Sequence, residues 1–377
     1  MANSYLTTKL IAREALIRLR NFLVMKALVY TDYDNTFQKQ GDTIRVKKPP
    51  VYTADEFSST INIQDITEDS VDVTLNHVAD VSVNWTSKEK SLNIDNFNQQ
   101  VLDPAMEAIA QKIDEDIHKE FYKAVPFFVG TSGTTPSSLN DFANAALILN
   151  NNKVPLRNRV AVWDPTAHSK FSVLDAIVHA EKSGSTAALR EGSIGRIQGM
   201  DNFMTQNVQT HTAGTFTAVS APAVNATATV GSNTIVLKGG VGTETIKEGD
   251  VFYVTTGGKK YYYAAAADAT ASAGVVTVTT TTKILAAHAA NDVVTFPDKT
   301  AGGHVANLAF IKNACAFVSR PLEMPMGGAN GYVTSFEGIS LRVTAGYDMN
   351  TKKEILSIDT LYGIKAVYPE LATRVLG

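Results

Sequence analysis

Residues 102–126 read LDPAMEAIAQKIDEDIHKEFYKAVP, and this stretch decides the fold. Asp103 can cap the free amides at a helix start, and Pro104 suits the first helical position. Apolar residues then recur every four positions, at Ala105, Ile109, Ile113, Ile117 and Phe121. Because each step of four overshoots a full turn by about 40°, the apolar stripe winds around the axis and can meet several neighbours. The pattern predicts a helix over 103–125 that spans roughly 33 Å and acts as a structural spine.

Three strand-like segments precede this helix, within residues 41–102. The first is GDTIRVKKPP, which begins at a Gly-Asp turn and stops at two prolines that donate no ladder hydrogen bond. The other two alternate apolar and polar residues, as half-buried strands do; their apolar positions are Val71, Val73 and Leu75, then Val81, Val83 and Trp85. We expect these two runs to pair in a hairpin at about 55–92, which lies over the protein body or reaches another chain.

The N-terminal arm, residues 1–40, contains an amphipathic helix from residue 8 to about 28, because its apolar residues recur at spacings of three and four. Its opposite face is basic, with a single acid, Glu14, against five basic residues: Lys9, Arg13, Arg18, Arg20 and Lys26. This face is either solvated or docks onto a neighbouring subunit, an acidic partner or DNA.

The sequence patterns on both sides of the segment 216–299 predict an alternating α+β structure for residues 126–215 and 300–377. Ser138 and Asp141 form a capping box before a helix, Arg159 to Trp163 read as a strand, and Asp164 with Pro165 starts another helix. The glycines at 192, 195 and 199 lack the strand-then-GxGxxG order of a dinucleotide site and indicate tight turns. The two segments are expected to complete one sheet.

Residues 216–299 differ in composition from the chain around them. They are rich in Thr, Ala, Val and Gly, and no arginine occurs from 197 to 319. VFYVTTGGKKYYY predicts two strands joined at Gly257 and Gly258, and three further segments read as strands: NTIVLKGG, GVVTVTTTT and DVVTF. The run AAAAD at 264–268 is ambiguous between helix and strand. We therefore predict an inserted all-β domain, a small barrel or sandwich.

No catalytic, cofactor-binding or metal-binding residues are predicted. The seven histidines, at 77, 118, 168, 179, 211, 288 and 304, form no HExxH or His-x3-His pair. Asp114, Glu115 and Asp116 are consecutive on the predicted helix, so they point in different directions and read as a solvated face. The lone Cys315 excludes an internal disulfide and reads as apolar filler. Nucleophile-elbow and phosphate-loop motifs are also absent.

Composition points to a soluble globular protein of more than one module that folds in a cytoplasm. The chain has 377 residues, of which 44% are hydrophobic and 19% charged, and its formal net charge is -3. Neither a run of 18 apolar residues nor a signal-peptide block occurs. The near-neutral charge argues against sequence-specific reading of DNA.

Five blocks of the chain resemble, in order, the coat proteins of P22-like phages. They are GDTIRVKKPP, LDPAMEAIAQKIDEDIHKEF, LREGSIGRIQGMDNFMTQNV, AFIKNACAFVSRPLE and SLRVTAGYDMNTKKEILSIDTLYGIKAVYPELA. The C-terminal block is the most specific, through Asp359, Leu361, Tyr362, Gly363 and the pair Pro369, Glu370. The resemblance covers most of the chain outside 216–299.

This resemblance implies an α+β, HK97-type capsid fold with defined parts. They are an N-terminal arm (1–40), a strand and E-loop hairpin (41–102), a peripheral domain with a spine helix (103–125), an axial domain whose first part is 126–215, an inserted β domain (216–299), and the second part of the axial and peripheral domains (300–377). The inserted segment is shorter and richer in threonine than its counterpart in the family.

The function implied is that of a major capsid protein without enzymatic activity. It self-assembles as pentamers and hexamers into the icosahedral head of a bacteriophage, in the host cytoplasm. The implied partners are a scaffolding protein, a portal protein and non-specifically held double-stranded DNA, with no membrane. Only about forty residues precede the hairpin, so the scaffolding protein is expected to be a separate chain. Some capsid families form isopeptide crosslinks between a hairpin lysine and an asparagine of another subunit, and Lys88 or Lys90 could serve here. Because exposed lysines are normal in a hairpin, we expect these two to be ordinary surface residues. The alternative class is an adhesin or glycan-binding protein that uses the Thr-rich domain.

Overall fold

A computed structural model describes residues 8–31, 43–48, 69–86, 101–179, 190–298, 303–325, 330–336, 338–350 and 353–377. The chain folds into two compact units. Unit 1 is drawn from Met1–Phe22, Thr31–Ala110 and Ala316–Val367, and unit 2 from Leu23–Tyr30, Gln111–Cys315 and Tyr368–Gly377.

The helices are α1 (Thr8–Phe22), α2 (Met25–Leu28), α3 (Asp103–Ala124), α4 (Leu139–Asn151), α5 (Pro165–Ser172) and α6 (Asp175–Val178). The strands are β1 (Thr43–Lys48), β2 (Asp69–Thr74), β3 (His77–Thr86), β4 (Phe128–Gly130), β5 (Arg159–Trp163), β6 (Arg196–Ile197), β7 (Met200–Met204), β8 (Thr210–His211), β9 (Ala223–Val224), β10 (Thr234–Lys238), β11 (Thr245–Ile246), β12 (Val251–Thr256), β13 (Lys259–Ala264), β14 (Ala269–Thr270), β15 (Val275–Thr279), β16 (Val293–Thr295), β17 (His304–Ile311), β18 (Cys315–Arg320), β19 (Asn330–Phe336), β20 (Ile339–Asp348), β21 (Lys353–Ala366) and β22 (Ala372–Leu376).

The predicted spine helix is confirmed as α3, which ends one residue before the predicted limit. All five residues of its winding apolar stripe are buried: Ala105, Ile109, Ile113, Ile117 and Phe121. The first two turns of α3 belong to unit 1 and the remainder to unit 2. The spine helix is therefore divided between the two units.

The N-terminal helix is shorter than predicted, because the chain breaks after Phe22 and restarts as α2. The cause lies on the spine. The Asp114 carboxylate accepts hydrogen bonds from the backbone amides of Val24, at 2.8 Å, and Lys26, at 3.4 Å, so these amides do not continue α1. Burial raises the pKa of Asp114 to about 6, against the effect of these amide hydrogen bonds.

Unit 1 contains a five-stranded sheet, and its pairing corrects one prediction. Val81, Val83 and Trp85 lie on β3, which pairs with β21 over ten residues, from His77 opposite Tyr362 to Thr86 opposite Lys353. Residues 71–75 do not pair with them. Instead β2 pairs with β1 in an antiparallel two-stranded ribbon. The predicted hairpin between these two runs is therefore wrong, because strand alternation specifies a face but not a partner.

The arm helix α1 packs against β19 and β20 in unit 1 through its buried face, which includes Ala12, Leu16 and Leu19. One residue of its basic face is used within the unit, since Arg18 forms an ion pair with Asp103 at the start of the spine. Arg18 Nε also lies 3.9 Å from Glu14 Oε2, one turn earlier in α1. The basic face is therefore partly neutralised inside the subunit.

Unit 2 contains a seven-stranded mixed sheet in the order β4-β22-β17-β5-β7-β6, with β8 paired to β17. The predicted strand Arg159–Trp163 is β5, every residue of which is buried. The predicted capping box of Ser138 and Asp141 is present at α4, and the Asp164 carboxylate caps α5. Trp163 packs between the rings of Phe142 and Phe171, with centroids 5.0 and 4.8 Å away. The expectation that residues 126–215 and 300–377 complete one sheet holds only for β17 and β22. It is wrong for β18, β19, β20 and β21, which form the five-stranded sheet with β3, because a strand pattern does not specify the partner strand.

Between these segments the chain forms a six-stranded antiparallel barrel, in the order β13-β12-β16-β9-β10-β15. The ends of β13 and β15 close it, because the Thr281 amide donates to the Ala264 carbonyl and the Ala266 amide to the Thr279 carbonyl. Gly257 and Gly258 form the β12–β13 turn with φ of 58° and 79°, as a two-residue type I′ turn requires. The AAAAD run ends β13 and is not helical. The apolar core of the barrel extends from Phe216 to Phe296.

A test of unit 1 uses two glycines of the same sheet. A Cβ at Gly363 on β21 would lie 2.4 Å from the Thr74 carbonyl oxygen, whereas one at Gly346 on β20 would meet nothing within 4 Å. Overpacking against backbone costs typically about 1–3 kcal/mol. We expect Gly363→Ala to lower the unfolding free energy of the purified subunit by about that amount in urea titrations, and Gly346→Ala to leave it unchanged. Equal stability of the two variants would contradict this close approach.

Candidate functional site

Within unit 2, the chain enters and leaves the barrel at a single place. The first connecting segment, residues 205–214, leads into the barrel, and the second connecting segment leads from the barrel into β17. The two run side by side because β8 pairs with the start of β17, with His211 opposite His304 and Thr210 opposite Val305. Gly303, at φ 83°, allows this approach, because a Cβ there would lie 1.9 Å from the His211 carbonyl oxygen. The ends of the insertion are therefore adjacent, which is the condition for inserting a folded module without disturbing its host.

A buried arginine stands at this junction. Arg374 on β22 is completely buried, and its guanidinium donates to the Gly249 carbonyl at 2.7 Å and to the Lys123 carbonyl at 3.1 Å. Lys123 is in the last turn of the spine, where carbonyl groups lack helical partners and the helix dipole favours a cation. One side chain thus ties the C-terminal strand, the end of the spine and the barrel.

The charge of Arg374 is balanced by its surroundings. Its guanidinium carbon lies 5.3 Å from the centre of the Tyr122 ring, a cation–π distance. Burial lowers the pKa of Arg374 to about 10, although Tyr122, Asp250 and Asp298 oppose that shift electrostatically. The guanidinium therefore stays charged at neutral pH.

Asp250 fixes the base of the barrel. Its buried carboxylate lies 2.8 Å from His211 Nε2 and accepts the backbone amides of Gly214, at 3.1 Å, and Lys247, at 2.8 Å. One carboxylate therefore links the first connecting segment to the turn before β12. These hydrogen bonds compensate the desolvation of the charge.

Asp298 and His304 form the corresponding pair on the second connecting segment. His304 Nδ1 lies 3.0 Å from Asp298 Oδ1, and both side chains are buried. Burial lowers the pKa of His304, against the opposing effect of Asp298. Burial alone would raise the pKa of Asp298, but the hydrogen bond and charge of His304 bring it below its ordinary value.

His118 on the spine completes the cluster. It is completely buried, and its Nδ1 accepts a hydrogen bond from the Gln209 amide at 3.3 Å. Burial, with a smaller contribution from the charge of Arg374, lowers its pKa to about 3. His118 is therefore neutral at physiological pH.

The rim of the junction is aromatic and charged. Tyr262 of the barrel contacts Phe127 and Phe128, with ring centroids 5.6 and 5.4 Å apart. Lys123 Nζ forms an ion pair with Glu248 at 2.6 Å. The aromatic contacts of Tyr262 keep water from this side of the junction, and the resulting low dielectric strengthens the electrostatic interactions of the buried polar groups.

The sequence did not reveal this cluster. His118, His211 and His304 are each 93 positions apart, so no local motif joins them. The fold brings the rings of His211 and His304 together in a tilted arrangement, with centroids 5.3 Å apart, and places Tyr122 beside both His118 and His211. The other histidines lie elsewhere: His77 stacks on Tyr362, His288 bonds to Thr256 and Tyr263, and His168 and His179 are partly exposed.

Across the described residues, no group of three or more His, Cys, Asp or Glu side chains is arranged to hold a metal ion. Asp114, Glu115 and Asp116 diverge, because Asp114 binds the amides of the arm whereas Asp116 pairs with Lys112 at 2.8 Å. Asp114 and Asp116 are buried, so the expectation of a fully solvated face is wrong for them. Cys315 is buried as expected, and burial raises its pKa. Lys88 and Lys90 lie outside the described residues.

None of the helices in the described part of the chain combines the length and apolar character needed to cross a membrane.

Solved capsid structures share this fold. The structure of Mycobacterium phage Che8 superimposes with a TM-score of 0.54 at 14% identity, over 94% of this chain and 90% of that chain. The capsid structure of the cyanophage P-SCSP1u gives 0.50 at 12% identity, over 89% and 84%. The capsid of an empty GTA particle gives 0.50 at 6% identity, over 94% and 90%. The fold is therefore the HK97-type capsid fold.

The sequence places the protein within that class. Residues 8–306 match the family described as "P22 coat protein - gene protein 5". The chain therefore belongs to the P22 coat protein family, and it is a major capsid protein that forms the icosahedral head of a bacteriophage. No curated protein matches the chain. The adhesin interpretation has no support in these comparisons.

The junction is tested at Arg374. Lysine keeps the charge but cannot reach both the Gly249 and the Lys123 carbonyl, so Arg374→Lys leaves a buried carbonyl without its donor. We expect this variant to lose roughly 3 kcal/mol of unfolding free energy, measured by urea titration. The matched control is Arg157→Lys at an exposed arginine, which should change stability little. Similar values for the two variants would show that Arg374 does not hold the junction.

Proposed function

We propose that this coat protein assembles with a separate scaffolding protein and a portal protein into a head that encloses double-stranded DNA. Pentamers and hexamers of the one chain make up the lattice, which forms in the cytoplasm of the host cell. The observation that carries the proposal is the match of residues 8–306 to the coat protein family.

Assembly of this kind works by interface burial. Each subunit makes several contacts with its neighbours, so no single contact has to be strong, and multivalency supplies the stability of the shell. The β1–β2 ribbon suits such a contact, because an isolated two-stranded ribbon is marginal in water and gains from a surface to lie on. Its Arg45–Asp72 ion pair, at 3.0 Å, is exposed and contributes little within the subunit.

The charge of the subunit fits non-specific containment of DNA. A net charge of -3 gives no overall attraction to phosphate, so DNA inside the shell is confined but not gripped. The basic face of α1 retains the exposed Arg13, whereas Arg18 is paired with Asp103. Among the basic residues of this face whose side chains are described, Arg13 is the exposed one that could contact DNA or a neighbouring subunit, since Lys26 is buried.

Closed shells distinguish this function from others. The coat protein, expressed together with a scaffolding protein from the same phage, should give closed particles in negative-stain electron microscopy. Soluble oligomers of fixed small size, with and without the scaffolding protein, would contradict the proposal.

The barrel, residues 216–299, is proposed to be an autonomous domain that modulates assembly and does not form the shell floor. Its support is a core that runs from Phe216 to Phe296 and a sheet that closes on itself. A domain of about 84 residues buries roughly 60–65% of its unfolded surface, which is enough for modest stability without disulfides.

Excision tests this domain assignment. Residues 216–299 expressed alone should give dispersed amide NMR signals and a cooperative melt. The remaining chain, with a short Gly-Ser linker in their place, should still form curved lattices or shells. It should also be less stable than the whole subunit, because Arg374 and His211 lose the partners Gly249 and Asp250.

Two outcomes together would oppose the assignment. They are a disordered isolated fragment and a deletion variant that unfolds completely, and they would mean that these strands belong to the axial core.

A further inference from the structure

His118 is held in a single protonation state by the groups around it. Its Nδ1 accepts the Gln209 amide, so in the neutral ring the proton resides on Nε2. A second proton can bind only at Nδ1, the atom that this hydrogen bond already occupies. The amide and the imidazolium would then present two donors to each other, and the contact would be lost.

Burial outweighs the one nearby group that favours a positive charge on His118, a backbone hydrogen bond with Ala306. Its side chain is completely buried, and the charge of Arg374 acts against its protonation. The two carboxylates of the junction are already engaged, Asp250 by His211 and Asp298 by His304. The titratable and charged groups facing the cluster from the elements packed there are Tyr122 and Lys123 on α3, His211 on β8, Glu248 and Asp250 before β12, Asp298 after β16, His304 on β17 and Arg374 on β22.

Gln209 belongs to the first connecting segment of the barrel, residues 205–214. This segment meets the spine at Gln209 and is held beyond it by the backbone pairing of β8 with β17. The Gln209 carbonyl also accepts the Ala306 amide at 3.0 Å. Loss of the His118 contact therefore removes the hydrogen bond from the backbone of this segment to the spine and leaves the longer contact of the Tyr122 hydroxyl with His211 Nδ1, at 3.5 Å.

We propose that His118 is a proton-operated latch between the spine helix and the first connecting segment of the barrel. One proton, taken up at Nδ1, separates the Gln209 amide from the spine and opens residues 205–214. The barrel itself stays folded, because its closed sheet contains no part of this contact.

The sign of the pH dependence follows from linkage. The pKa of His118 is about 3 when the latch is closed and returns toward 6.5 when the segment opens. Opening therefore takes up a proton, so the closed state is fully favoured above pH 6.5 and loses stability as the pH falls toward 3. Between pH 6.5 and 4.5 the equilibrium constant for opening should rise by about 50-fold, because half of the open-state imidazole is already protonated at pH 6.5.

Hydrogen exchange measured by mass spectrometry on the full-length coat protein tests the latch. At pH 6.5 and 4.5, with rates corrected for intrinsic exchange, peptides covering 205–214 should show an opening constant about 50-fold larger at the lower pH. Peptides from β12 and β13 serve as the internal reference and should keep their protection.

The matched variant is His118→Asn. Asparagine Oδ1 occupies a position near that of the imidazole Nδ1 and can accept the Gln209 amide, but it does not titrate in this range. The variant should keep residues 205–214 protected at both pH values. An equal rise in the variant would assign the effect to Asp298, His304 or another group and overturn the proposal.

The wild-type protein alone also decides the question if the variant fails to fold. Unchanged exchange of residues 205–214 between the two pH values overturns the latch. So does a parallel rise in β12 and β13, since it would report unfolding of the whole of unit 2. The proposal concerns the subunit itself, so its failure leaves the capsid function untouched.

Discussion

The guanidinium of Arg374 is the group on which the organisation of unit 2 depends. A fully buried charge is tolerated only where hydrogen bonds and opposite charge replace its hydration. Here the carbonyls of Lys123 and Gly249 accept its hydrogen bonds, the Tyr122 ring lies beneath it, and Asp250 and Asp298 oppose the loss of its charge. If one of these segments is displaced, the charge loses part of that compensation. The junction is consequently specified as a single arrangement.

This requirement explains where the barrel is attached. The spine ends at Ala124, and its last carbonyls need donors that the helix cannot supply. Arg374 supplies one, and the same side chain reaches the turn before β12. The barrel is therefore fixed to the end of the longest helix in the described chain.

The two β structures outside the main sheets differ in a way that matters for a protein that works in many copies. The sheet of the barrel closes through the pairing of residues 264–266 with 279–281, which covers part of the edge that its two end strands would otherwise offer to a neighbouring strand. Among the described residues, the β1–β2 ribbon pairs with no third strand, although Thr74 at its end packs against Gly363 of β21. The closed module avoids unwanted strand pairing, whereas the ribbon is free to make contacts. A shell protein needs both properties, because it must be soluble before assembly and adhesive during it.

The sequence alone determined the local elements of this protein. The winding apolar stripe from Ala105 to Phe121, the cap at Asp164 and the turn at Gly257 and Gly258 depend on neighbours in the chain, and each occurs as predicted. Tertiary structure alone decided the partners. Strand alternation left open whether Val81 and Val83 would pair with residues 71–75 or with β21, and helical periodicity did not show that Asp114 would end α1. The junction required both kinds of information: Arg374, His118, His211 and His304 come from four distant segments, and no spacing rule relates them. Local patterns predict how a residue interacts within its own helix or strand. The hydrogen bonds and charges that stabilise a buried ionised group come from distant segments, so only the tertiary structure identifies them.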